Sequence, residues 1–264
     1  MIAHLNGIEL AWDDVGAGVP VVFLHGFPLD RTFWKPQLSA LIGQARCIAP
    51  DLRGFGGTDA APPYSIDQYA DDVAALLDHL GIDRAVIAGL SMGGYIAFAL
   101  WRRHRDRVRA LILADTRATA DSAEGLEKRR ALLEVARREG SGAVATRQLP
   151  ALLGATTRER NPDVAEWLHL MMAMQPPAGV AGAIEAMMAR PDSTPDLATI
   201  NVPTLIVVGE EDTLTPPSDA EAMAGAIRGA RIEVLSQAGH LAPVERPAAF
   251  NHIVAEFVAS LVYC

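Results

Sequence analysis

The sequence predicts an α/β protein: a parallel sheet flanked by helices, broken late by a helical insertion. Three observations carry this. Short continuous apolar runs, "VPVVFL", "AVIAG" and "TLIVVG", fit strands buried on both faces of a parallel sheet. Helical patterns alternate with the early runs, as parallel strands require. From about Thr116 to Thr194 the alternation stops, and only helical patterns are found.

The elements follow in order. Segments around Ile2–Leu5 and Glu9–Trp12 are joined by Asn6-Gly7, a two-residue hairpin signal. "VPVVFLHG" is a strand breaking into a glycine loop, and "RCIAPD" a short strand. "SIDQYADDVAALLDHLG" is a helix with Ser65 and Gln68 placed as a capping box and Gly81 at its end. Val73, Leu76, Leu77 and Leu80 form its apolar face. "AVIAG" is a strand, "MGGYIAFALWRRH" a helix and "VRALILAD" a strand. The insertion reads as helices over Ala123–Arg138, Gly142–Leu153, Pro162–Met174 and Gly179–Ala189, with Asn161 before Pro162 as a helix start. Strands return at Thr204–Gly209 and Ile232–Leu235. Helices follow near Ser218–Ile227, with a second capping box from Ser218 to Glu221, and near Pro247–Leu261. The expected division is a core from 1–115 and 196–264 around a helical cap at 116–195.

Composition narrows the function. A formal charge of −9 argues against general attraction to nucleic acid or an anionic membrane. The basic run "WRRHRDRVR" (101–109) reads as a helix end whose cations complement the dipole. Lys128–Arg130 and Arg137–Arg138 are interleaved with acids and read the same way. Cys47 and Cys264 show no metal-ligand spacing and suggest no disulfide framework. "MIAHLNGIELAWDD" lacks a basic region followed by a long apolar one, and no apolar run approaches a membrane span. The expectation is a soluble cytoplasmic protein.

The chemistry centres on Gly89-Leu90-Ser91-Met92-Gly93, a G-x-S-x-G pattern with an apolar strand before it and a helix directly after. Such a turn lifts a serine hydroxyl above the sheet, and the flanking glycines relieve collisions with neighbouring elements. A serine needs a base. His240 follows the last strand in "IEVLSQAGH", and Asp212 follows the strand before it in "TLIVVGEED". Ligands bind where the carboxyl ends of parallel strands collect. His4, His79, His104, His169 and His252 fall in the hairpin, helices or insertion, and His25 precedes the serine; all read as surface or structural. Asp115, after "ALILA", and Glu210 and Glu211 are rivals to Asp212. The backbone amides of Met92 and Phe27 would form an oxyanion hole; Pro28 has no N–H to offer.

The segments "HGFPLDRTFW", "DLRGFGGTD", "GLSMGGYIAFAL", "GEEDTLTPP" and "AGHLAPVERP" together resemble the α/β-hydrolase superfamily over essentially the whole chain. The chain looks most like small bacterial carboxylesterases. The resemblance implies an eight-stranded, mostly parallel sheet with a helical cap between strands six and seven. It also implies Ser91 as nucleophile, His240 as base, Asp212 as acid and Phe27 and Met92 as oxyanion amides. Asp51, Arg53 and Asp59 of the "DLRGFGGTD" loop are structural in such proteins. Relatives that open carbon–halogen bonds or epoxides carry aspartate at the position of Ser91.

Five methionines of the insertion, Met171, Met172, Met174, Met187 and Met188, with Trp167, would give an adaptable apolar surface. They read either as a pocket roof or as plain packing of cap on core. Trp167, Met171 and Met187, with Leu214 and Leu241, are the candidate pocket residues. No basic residue is assignable to a charged substrate group, so a short- to medium-chain uncharged ester is expected, cleaved without metal or organic cofactor. Lactone hydrolysis and perhydrolysis use the same residues, and a ligand-binding member of the fold is the non-enzyme alternative.

Overall fold

A computed structural model describes residues 1–261; Cys264 lies outside them. Strands β1 (Ile2–Leu5), β2 (Ile8–Gly16) and β3 (Val19–Leu24) precede α1 (Lys35–Leu41), β4 (Ala45–Pro50) and α2 (Ile66–His79). Then come β5 (Ala85–Leu90), α3 (Met92–His104) and β6 (Val108–Ala114). Helices α4 (Ala123–Glu139), α5 (Ser141–Leu152), α6 (Ala155–Arg160), α7 (Pro162–Ala173), α8 (Pro177–Met188) and the single turn α9 (Thr194–Leu197) separate β6 from β7 (Thr204–Gly209). The chain continues through α10 (Pro217–Ala226), β8 (Arg231–Leu235), α11 (Ala242–Glu245) and α12 (Pro247–Ser260).

The eight strands form one sheet in the order β1-β2-β4-β3-β5-β6-β7-β8. The β1–β2 and β2–β4 pairs are antiparallel and all the others parallel. The opening hairpin turns on Asn6 and Gly7, both at positive φ, as a tight two-residue turn demands. Alternation along the strands divides the apolar core between the two faces. Val22, Leu24, Ile87, Leu111 and Ile206 pack with residues of α2 and α3. Val21, Phe23, Val86, Ile112 and Leu205 pack with Leu38 and Leu41 of α1 and with Phe250 and Val254 of α12. Both faces are therefore covered, which explains the uninterrupted apolar strand sequences.

Ser65 caps α2 by accepting from Gln68 N–H at 3.0 Å, and Gly81 follows its end at φ 64°. The expected capping box at Ser218 does not form: α10 starts at Pro217, and Ser218 lies inside it. Proline at the first helical position presets φ and needs no amide partner, so the helix begins one residue early. Four helices went unread: α1, α6, α9 and α11. They are short, and α6, "ATTRER", has no apolar stripe to betray it. Among the described residues no helix is long and apolar enough to cross a membrane.

Two basic stretches behave differently. Arg102 pairs with Asp196 and Asp67, Arg103 and His104 with Asp71, and Arg107 with Asp78. The first run is thus spent on internal ion pairs around the end of α3. In the second stretch, Arg129 on α4 bonds Asp121 and reaches the cavity described below.

Candidate active site

Ser91 sits between β5 and α3 at φ 52°, ψ −111°, a conformation that costs a non-glycine residue on the order of 1–3 kcal/mol. Close packing on both sides holds it there. A Cβ at Gly89 would lie 2.3 Å from Gly93 O, and one at Gly93 would lie 2.3 Å from Leu24 O. Neither position admits a larger residue without moving backbone. Ser91 N–H donates to Ala114 O at 2.9 Å, and Thr116 Oγ1 donates to Ser91 O at 2.8 Å. The end of β6 therefore clamps the turn from beneath.

The structure brings the serine, histidine and aspartate together from three separate strand ends. His240 Nε2 is 2.8 Å from Ser91 Oγ, and His240 Nδ1 is 2.8 Å from Asp212 Oδ2. Asp212 Oδ1 accepts from the amides of Leu214 and Thr215, and Oδ2 accepts from Thr215 Oγ1 at 2.6 Å. Burial pushes the Asp212 carboxyl up, but the charge and hydrogen bond of His240, with the bonds of Thr215, outweigh it and hold it below its ordinary range. An ionised Asp212 places the imidazole proton on Nδ1 and leaves Nε2 as the acceptor facing the serine hydroxyl.

The rival acids are engaged elsewhere. Asp115 is buried at φ 44° and accepts from Gly209 N–H at 2.8 Å; it makes no bond to His240. Burial, then repulsion from Asp212, pushes its carboxyl well up. Glu211 bonds the hydroxyl and amide of Thr156 on α6, and Glu210 is exposed. His25 is buried; its Nδ1 lies 2.9 Å from Gly26 O and its Nε2 accepts from Leu52 N–H at 3.0 Å. Burial lowers its pKa, and with both nitrogens occupied it ties the β3 loop to the loop after β4. In that second loop Asp51 receives Arg31 and the amide of Gly57, Arg53 is paired with Asp72, and Asp59 is exposed. Cys47 is buried, and burial raises its thiol to about 12, which removes it as a nucleophile.

The loop carrying Phe27 abuts the serine: a Cβ on Gly26 would lie 3.4 Å from Ser91 Cβ. Met92 opens α3 with its side chain fully buried, and an amide at a first helical position has no acceptor within its own helix. Phe27 follows Gly26 and Met92 follows Ser91, so both residues belong to segments that meet at the serine.

A cavity of about 400 Å³ opens over Ser91 and His240. Of the five candidate pocket residues, Met187 and Leu214 line it. Trp167, Met171 and Leu241 are not among its lining. Trp167 stacks on Phe33 with ring centroids 6.4 Å apart, while Met171 and Leu241 are buried in the core on the α1–α12 face. Met171 and Met187 divide between packing and cavity because they lie on different helices, α7 and α8. Sequence reading offered no base for a charged substrate, yet Arg117, Lys128 and Arg129 all line this cavity. Among the described residues no three His, Cys, Asp or Glu side chains gather as metal ligands.

The model of the alpha/beta hydrolase fold family matches residues 19–247. The chain belongs to the α/β-hydrolase family. Within the family, it is 43% identical to a solved thermophilic esterase from Thermogutta terrifontis with malate bound, with a TM-score of 0.95 over 99% of this chain and 98% of that one. It is 35% identical to the solved enol-lactonase of Burkholderia xenovorans LB400, with a TM-score of 0.91 over 98% of this chain and 100% of that one. A curated relative, 3-oxoadipate enol-lactonase 2 of Acinetobacter baylyi, is 32% identical over 89% of this chain and 86% of its own.

Several supporting groups of this α/β hydrolase escaped the sequence. Thr215 and Thr116 brace the acid and the serine turn. Glu245 accepts from the amides of Gly154, Gly239 and Leu241, and His240 N–H donates to Leu152 O at 3.0 Å. The end of α5 is thereby tied to the histidine loop. "DTLT" hinted at a hydroxyl near Asp212, but nothing linear indicates that Glu245 turns back on His240's neighbours.

Proposed function

We propose that this α/β hydrolase cleaves carboxylic esters through an acyl-enzyme on Ser91, with His240 as general base and Asp212 as the group that orients and stabilises the imidazolium. One observation carries the reading: Ser91 Oγ, His240 Nε2, His240 Nδ1 and Asp212 Oδ2 form an unbroken hydrogen-bonded line at the floor of the cavity. Attack of the serine oxygen on the ester carbonyl passes its proton to His240 Nε2. The amides of Phe27 and Met92 receive the negative charge on the tetrahedral oxygen. Collapse expels the alcohol, protonated by His240, and water activated by the same nitrogen releases the acid. The helices between β6 and β7 act as a cap that forms the cavity roof through Met187 and Leu132.

A fluorophosphonate probe should label Ser91, and p-nitrophenyl esters from acetate to decanoate should be hydrolysed with a chain-length optimum. An unlabelled Ser91 together with no ester turnover would overturn the reading. A second reading, hydrolysis of a cyclic ester, is supported by the likeness to two enol-lactonases. It uses the same steps with the leaving alcohol still tethered. Lactones tested beside open-chain esters separate the two by kcat/KM.

A further inference from the structure

The cavity wall holds a guanidinium that the chemistry proposed above does not use. Arg117 follows β6 by three residues, next to Thr116, whose hydroxyl is bonded to the carbonyl of Ser91. Its only ionic contact is from Nε to Asp219 on α10 at 3.4 Å, and its side chain makes no hydrogen bond among the described residues. Asp219 Oδ2 is itself buried without a hydrogen-bond partner. The Nη1 and Nη2 donors are therefore available to a ligand in a cavity that also contains Ser91.

The charges around it point the same way. Asp121, between β6 and α4, is shared by two arginines, Arg129 and Arg190. Burial pushes the Asp121 carboxyl up, yet the two guanidiniums outweigh it and keep it below its ordinary range, so the carboxylate cancels only one of them. Arg190 lies over the Tyr95 ring, 4.1 Å from its centroid, and is fixed there by bonds to the carbonyls of Met187 and Thr119. Arg129 faces the cavity, where one of its nitrogens meets only the sulfur of Met187 at 3.4 Å, a weak acceptor. Lys128 and Glu124 pair with each other at the exposed rim and cancel. The triad's own carboxylate stands behind His240. The cavity lining thus carries three cations, Arg117, Lys128 and Arg129, against two carboxylates, Asp121 and Glu124, and an open guanidinium fork.

We propose that Arg117, assisted by Arg129, binds a carboxylate that the substrate carries away from its scissile bond. The enzyme then prefers esters of dicarboxylic acids or of hydroxy acids over neutral esters of equal length. A planar guanidinium matches a carboxylate with two parallel hydrogen bonds, and the partly closed cavity strengthens the attraction relative to open water. This rests on Ser91 being the acyl acceptor.

The test compares two substrate pairs. Mono-p-nitrophenyl hexanedioate against p-nitrophenyl hexanoate places the charge on the acyl side. 4-Carboxyphenyl acetate against phenyl acetate places it on the alcohol side. With each rate corrected for uncatalysed hydrolysis, the wild-type ratio of kcat/KM, charged over neutral, should exceed one in at least one pair. Arg117→Gln should lower that ratio roughly tenfold to a hundredfold, the worth of a charge-assisted hydrogen bond. The change should fall mainly in KM, Arg117→Lys should restore part of it, and Arg129→Gln should lower the ratio less. The neutral ester reports folding in every variant. Cleavage of the neutral esters with no charged preference, or with a ratio unmoved in Arg117→Gln, overturns this inference alone. No cleavage of any ester, with Ser91 unlabelled, overturns the hydrolase reading and this inference with it.

Discussion

The strand ends of the sheet and the helices between β6 and β7 meet at one cavity but are built on opposite rules. At the strand ends almost every polar group is buried and bonded. Asp212 accepts four hydrogen bonds, counting that of His240, and Ser91 is clamped by Ala114 and Thr116. The helices and the loop after β6 instead carry half-buried arginines and an exposed lysine, a thioether as a hydrogen-bond acceptor and a guanidinium with one long ionic contact. A saturated site holds one geometry, as a fixed reaction needs. An unsaturated wall leaves donors free, as recognition needs. On the function proposed above, the bond-breaking step falls to the sheet and the choice of substrate to the helices and the loop after β6.

The largest effect should come from the sheet side. Ser91→Ala is expected to reduce kcat on an aryl ester by a factor on the order of 10⁶, measured in steady state with protein free of wild-type carry-over. Activity retained near wild type would end the comparison, because the floor of the cavity would then have no special role.

The two buried aspartates sharpen it. Asp212→Asn should lower kcat by roughly 10⁴, since the imidazole loses the partner that sets its tautomer. Asp115→Asn, which keeps an acceptor for Gly209 N–H, should leave kcat within about tenfold. It should instead alter the pH dependence of stability. Burial, then repulsion from Asp212, raises the Asp115 carboxyl, so the native state keeps a proton that the unfolded chain releases above its ordinary 3.8. Stability from this group is therefore present at low pH and lost as pH rises toward the folded value. Urea unfolding should show Asp115→Asn gaining on wild type from pH 4 to pH 7. Asp212 has the reverse sign: its lowered carboxyl contributes stability at neutral pH that is lost as pH falls below about 4.

Gly93→Ala places a methyl 2.3 Å from the carbonyl of Leu24. Overpacking against backbone should destabilise by about 3 kcal/mol, read as a lower urea midpoint with unchanged slope. A cap-side residue should show the opposite profile. Met187→Ala, which opens the cavity roof, should change the chain-length optimum by up to about tenfold in kcat/KM. Trp167→Ala, away from the lining, should shift it by less than about threefold. Equal shifts for both would mean that the cavity extends beyond its present wall.

Legibility followed the same divide. The doubly buried strands could be read because packing on both faces forbids polar residues in them, and the turn at Ser91 because close packing forbids side chains at Gly89 and Gly93. Asp212 and His240 were recognisable from their places after strands, where parallel sheets gather their carboxyl ends. Arg117 and Arg129 were not, since a basic residue looks alike in sequence whether it meets an acid, the solvent or a cavity. The methionines stayed open between roof and packing for a related reason: Met171 and Met187 have the same chemistry, and only the placement of α7 and α8 sends one to the α1–α12 face and the other to the cavity.

By itself, then, the sequence determined the α/β alternation, the strained serine turn and the order of serine, acid and histidine along the chain. These depend on local sterics and on burial, both written in residue type. The tertiary structure alone decided that His240 lies between Ser91 and Asp212, that Asp115 rests unpaired with the histidine, and that Arg117 lines the cavity over the serine. Those are contacts between residues far apart in the chain, fixed by how elements pack, and no local pattern encodes their distances.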